Sequence, residues 1–97
     1  MSEQDWSEWL DFDRANVDAA PESPGTFVMH ANMKTMYIGG GLNIKKALTE
    51  QLADSCASRA KRFRYRLTDD FEHAREQLLR EYLEKHGGRL PLCMENR

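Results

Sequence analysis

Several side chains in this 97-residue sequence have the type and spacing for chemistry. Arg59, Lys61, Arg62, Arg64 and Arg66 follow one another with no acid between them, and Lys45 and Lys46 form a second basic pair. Cations grouped this way can contact successive phosphates of a nucleic acid, giving salt-sensitive, sequence-blind affinity. An ordinary solvated strand face, answered by an acidic arm, would show the same run. Tyr37 offers a phenol able to donate to a phosphate, or a ring to fill a core. Glu81 lies i+3 from Leu78 and i+7 from Ala74, a place where packing alone calls for an apolar residue. It is also spaced for an i, i+4 ion pair with Lys85. Cys56 and Cys93 stand in no metal-type or redox-type pair, so two reduced thiols are expected, with a lone disulfide as the alternative, and three scattered histidines give no zinc pattern.

These residues need elements to hold them. Trp6, Trp9 and Leu10 recur at i, i+3, i+4, which predicts an N-terminal helical arm over residues 1–20. Pro21, Pro24 and Gly25 stop it. A domain over residues 21–97 follows. Thr26 to Ala31 and Lys34 to Gly39 read as a β-hairpin turning at Asn32 and Met33. Gly39, Gly40 and Gly41 then lead into a helix capped by Asn43 and running to about Asp54, with Ile44, Ala47, Leu48 and Leu52 on one side. From Arg62 to Thr68 the alternation predicts a half-buried third strand, with Phe63, Tyr65 and Leu67 facing one way and three arginines the other. Asp69 and Asp70 open a last helix that Gly87 and Gly88 close, its stripe formed by Phe71, Ala74, Leu78, Tyr82 and Lys85 with Leu79 and Leu83 on the flanks.

With 40% hydrophobic and 31% charged residues, the chain can build one core. The net charge of −2 hides an asymmetry. Residues 1–33 carry Glu3, Asp5, Glu8, Asp11, Asp13, Asp18 and Glu22 against Arg14 alone, so the basic excess is local to the rest. No stretch approaches the apolar length of a membrane span, and the acidic start lacks a signal-peptide pattern. A soluble cytoplasmic protein is expected.

The order of hairpin, glycine turn, helix, strand and helix resembles the GIY-YIG nuclease family. Gly25, Thr26 and Phe27 stand where that family has its first signature, and Tyr37, Ile38 and Gly39 reproduce the second, ten residues on. The resemblance implies an α+β fold, a small three-stranded antiparallel sheet flanked by helices. It also implies phosphodiester cleavage with a divalent metal held by one Glu, two Tyr hydroxyls and a phosphate-supporting Arg. Tyr37 and Glu81 match as catalytic positions, Glu81 as the ligand for Mg²⁺ or Mn²⁺, and Asn96 matches a late Asn. Phe27 keeps the first signature's ring without its hydroxyl, and Ala47 replaces the Arg. The expectation is a DNA-binding, nuclease-like domain with weak or lost hydrolysis, its contact surface formed by the basic run with Lys45 and Lys46. The competing readings are an active metal-dependent endonuclease of DNA repair or processing, and a protein-interaction adaptor using Trp6, Trp9 and Phe12.

Overall fold

The computed structural model describes residues 6–94, and its centre is the expected hairpin. Strands β2 (Gly25–Ala31) and β3 (Lys34–Gly41) pair antiparallel across the Asn32-Met33 loop. Strand β4 (Arg62–Leu67) pairs antiparallel with the other side of β2, setting Tyr65 beside Phe27 and Phe63 beside Met29. A short strand β1 (Leu10–Asp11) adds to β4, so the sheet has four strands in the order β1-β4-β2-β3 rather than three.

The extra strand corrects the helical arm. Trp6 bridges to Arg66, and the Ser7 amide donates to the Tyr65 carbonyl at 2.8 Å, so this segment runs extended along β4. The spacing of Trp6, Trp9 and Leu10 suits a helix, but an isolated helix of that length is marginal, whereas the free edge of β4 offers backbone partners. Among the described residues of the arm only α1 (Arg14–Asp18) is helical, and Asp13 caps it by accepting from the Asn16 amide at 2.9 Å.

Strand register sorts the side chains into two faces. Phe27, Met29 and Phe63 share one face and meet Val17 of α1 together with Ile44 and Leu48 of α2 (Ile44–Leu52) in the main core. Helix α2 starts where expected, with the Asn43 side chain accepting from the Lys46 amide at 3.0 Å. The opposite face carries the row Ile38, Val28 and Arg64. Helix α3 (Phe71–Lys85) packs on β2 and β3 there, since none of its residues belongs to the main core and Val28 and Ile38 are nevertheless buried.

Beyond α3, Gly87 and Gly88 take φ of 65° and 87°, and the Gly88 amide donates to the Leu83 carbonyl at 2.8 Å, which ends the helix as glycine-rich C-termini do. The tail then passes against β3, where Pro91 and Cys93 are buried. Here a second expectation is corrected: Cys56 and Cys93 form a disulfide, with Cα atoms 5.6 Å apart. Thirty-seven residues separate them in sequence, and only the passage of the tail along the edge strand brings them together. Among the described residues, no helix is long and apolar enough to cross a membrane.

Candidate functional site

The two signatures meet on the core side of the sheet. Phe27 pairs with Gly39, and the Phe27 and Tyr37 rings lie 6.0 Å apart at 31°. A side chain at Gly39 would meet carbon atoms of both rings at 2.7 Å, so the glycine is needed for the rings to close over it. Gly25 is held as tightly, because a methyl there would collide with the Arg66 carbonyl oxygen and come within 2.7 Å of the Ile44 side chain. Thr26, fully buried, donates its hydroxyl to the Gly39 carbonyl at 2.6 Å. Tyr37 is half-buried against the main core, and Ala47 packs there from α2 with no group for a phosphate.

Glu81 is placed elsewhere. The half-buried residues of α3 are Phe71, Ala74, Arg75, Leu78, Leu79, Tyr82 and Leu83, while Glu76, Glu81 and Lys85 are exposed. The expected stripe is therefore right in its apolar members, but Glu81 points away from the sheet. Tyr37 packs against the main core, as Ala47 of α2 does, whereas Glu81 is exposed on α3. The charged residue on the sheet-facing stripe is Arg75, i+4 from Phe71 and i−7 from Tyr82, a position the helical period identifies once the apolar stripe is drawn. Among the described residues no group of three or more His, Cys, Asp or Glu side chains is arranged to hold a metal ion. An arginine on the sheet side and an exposed glutamate do not fit a divalent cation held between α3 and the signature strands. Asn96 lies outside the described residues.

The basic residues separate into groups. Arg64 is half-buried, with its guanidinium 4.8 Å from the ring centroids of both Trp6 and Trp9, a cation–π stack on two indoles. That arginine packs the arm onto the sheet. The Trp faces are thereby turned inward, which the reading of them as an exposed contact surface did not anticipate. Arg62 lies 3.6 Å from Asp11 in an exposed pair, and half-buried Lys45 lies 3.9 Å from exposed Glu22, both of small energetic weight. Arg59, Lys61 and Lys46 are exposed, and Arg66 is half-buried. Lys45 and Lys46 sit at the glycine-turn end of the sheet, whereas Arg59, Lys61 and Arg62 sit at the hairpin-tip end, a strand length of about 20 Å away.

His30 was not singled out by spacing. Its ring lies against Trp9 with centroids 4.4 Å apart and planes tilted by 33°, and its Nε2 lies within hydrogen-bond distance, 3.0 Å, of the Thr35 hydroxyl. Burial lowers its pKa below the ordinary 6.5, and the nearby Arg64 charge adds in the same direction. The unfolded chain therefore takes up this proton at a higher pH than the folded one. Stability contributed by neutral His30 is present at neutral pH and falls as the pH drops through the unfolded value towards the lower folded one. Urea midpoints measured from roughly pH 7 to pH 5 should decline, and His30→Gln should flatten part of that decline. An unchanged slope in the variant would show that His30 is not the titrating group.

A family model described as a domain of unknown function, DUF7508, matches residues 4–85. The chain belongs to this family. No curated protein matches it. Among solved structures, this DUF7508 chain is similar to the GIY-YIG N-terminal endonuclease domain of UvrC from Thermotoga maritima bound to magnesium, its catalytic divalent cation. The TM-score is 0.61 at 19% identity, covering 82% of this chain and 92% of that one. A Tyr-to-Phe point mutant of the same UvrC domain, bound to its catalytic divalent cation, gives a TM-score of 0.60 at 19% identity over 82% and 91%. The DUF7508 fold is thus GIY-YIG-like, as the two signatures and the element order imply, and at this identity the likeness concerns the fold.

Proposed function

We propose that this chain is a nucleic-acid-binding domain on a nuclease fold that does not cleave the backbone by the metal-dependent route of its structural neighbours. The observation that carries the reading is the α3 surface: Arg75 on the stripe that meets the sheet, and Glu81 exposed on the other side. Two substitutions point the same way, since Phe27 has no hydroxyl to move a proton and Ala47 no guanidinium to stabilise transferring phosphate. Loss of such an arginine alone commonly costs orders of magnitude in phosphoryl-transfer rate. What remains is a scaffold whose exposed cations suit a polyanion, and DNA in the cytoplasm is the partner this reading favours.

Mg²⁺ or Mn²⁺ would have a role only in the active reading, with Glu81 as ligand, and the residues present do not fit one. The experiment combines binding with cutting. Labelled duplex, single-stranded and branched DNA are titrated at two salt concentrations, and supercoiled plasmid is incubated with Mg²⁺ or Mn²⁺. Binding that weakens by about tenfold or more with added salt, and intact plasmid, are expected. Nicking that Glu81→Ala abolishes would instead establish an active endonuclease. Absence of binding even at low salt would end the reading altogether.

A further inference from the structure

The β2–β3 hairpin turns through two residues with positive φ, Asn32 at 52° and Met33 at 66°. Such loops favour Asn followed by Gly, because a Cβ in the left-handed region crowds its own backbone. Met33 therefore occupies the place where glycine would be easier, and it is 96% exposed, so it gains nothing from packing either. Neither local conformation nor core burial accounts for a long apolar side chain at this spot, and backbone strain of this kind is commonly retained where a surface does work.

The charged side chains that line the hollows around Met33 are basic. Three hollows adjoin the tip: one is lined by Lys61 and Arg62, one by Lys34, Arg59 and Lys61, and one by Lys34 and His86. No Asp or Glu lines any of the three. These cations come from the start of β3, the 3-10 turn Ala57–Arg59 with its exit, and β4, segments that only the fold assembles. Asp11 pairs with Arg62 at 3.6 Å, and that pair is exposed.

We propose that the hairpin tip is the nucleic-acid contact, with Lys34, Arg59, Lys61 and Arg62 on the phosphates of a DNA duplex and Met33 pressed into its minor groove. The inference rests on the nucleic-acid reading above and adds where the duplex sits. Only the protruding Met33 side chain, not the two-stranded ribbon, has to enter a groove about 6 Å wide. Apolar wedges, Met among them, are used in this way by proteins that read groove width rather than base identity. Charge complementarity selects a polyanion, and cations on both sides of one protruding apolar residue match the two phosphate ribbons that border a groove. Lys45 and Lys46, at the far end of the sheet, lie outside this contact.

The test compares the wild type with three variants by fluorescence anisotropy on a labelled DNA duplex across a salt series. Lys34→Ala with Lys61→Ala should weaken binding by about tenfold and reduce the slope of log K against log salt by about 2. Met33→Gly should weaken binding several-fold at an unchanged salt slope. Because glycine suits the left-handed turn, this variant should melt at or above the wild-type temperature, which separates lost contact from lost fold. Lys45→Ala with Lys46→Ala should bind as the wild type does. Tip variants that bind normally while the Lys45 and Lys46 variant fails would overturn the placement and leave the nucleic-acid reading standing. No binding by the wild type at low salt would remove the reading itself. Retention on vesicles of phosphatidylserine in phosphatidylcholine, with none on DNA, would assign the tip to a membrane surface instead.

Discussion

Replacing Phe63 with alanine is expected to lower the stability of the chain by about 4 kcal/mol. Phe63 is fully buried on β4, beside Met29 of β2 and Leu10 of β1. Its ring meets Phe12 edge-on, with centroids 5.8 Å apart at 78°, and Tyr65 at 6.4 Å. One side chain therefore ties together the hairpin, the third long strand and the N-terminal arm. Removing it forfeits the transfer energy of the ring and leaves a cavity that the sheet backbone cannot close. A chain of this length has only about 5–15 kcal/mol in total, so the loss is a large share of it. Urea unfolding should show a much lower midpoint at a similar m-value, with Phe63→Leu between the two. A loss under about 1 kcal/mol would mean that the arm and β4 do not share this core.

The second large effect concerns the disulfide. Cys56 follows α2, and Cys93 belongs to the tail that covers β3, so the bond closes a 37-residue separation containing β4 and all of α3. Closing a loop of that size restricts the unfolded chain by about 4 kcal/mol. Thermal unfolding with and without reductant should differ accordingly, and Cys93→Ala should match the reduced wild type and no longer respond to reductant. Equal melting temperatures in both conditions would show that the bond contributes nothing. The cytoplasm generally keeps thiols reduced, so a cytoplasmic protein would carry this pair open. Alkylation followed by mass measurement on protein drawn directly from cells distinguishes the two states.

The Trp6–Arg64–Trp9 stack affects how the basic run is understood. Five cations in sequence suggest one continuous contact surface, yet Arg64 is consumed in holding the arm and Arg66 lies nearer the glycine turn. The exposed remainder joins Lys34 at the tip. A linear run of charge is thus divided by the alternation of a strand and by what covers each face.

Much of the architecture was legible from local signals, because those signals act over a few residues. The hairpin, the Asn43 cap and the closing of α3 at Gly87 depend on dihedral preference and hydrophobic period, and each stands as expected, whereas in β4 Leu67 is exposed at the strand end and Asp70 precedes α3 without a side-chain capping bond. The paired signatures around Gly25 and Gly39 are of the same kind, since both glycines are demanded by neighbours within the sheet. The remainder depended on contacts between distant segments. A run such as Trp6 to Leu10 fits a helical period, and only the unfilled edge of β4, more than fifty residues later, turns it into a strand. Glu81 and Arg75 differ by less than two turns of one helix, and the side that meets the sheet is set by how the whole helix rolls onto Val28 and Ile38. The Cys56–Cys93 bond and the ring of cations around Met33 likewise join segments far apart in the chain. Sequence therefore determined the hairpin, α2, β4 and α3, whereas the tertiary structure decided the form of the N-terminal arm and which charges share a surface, because both depend on the edges and faces buried when the elements pack.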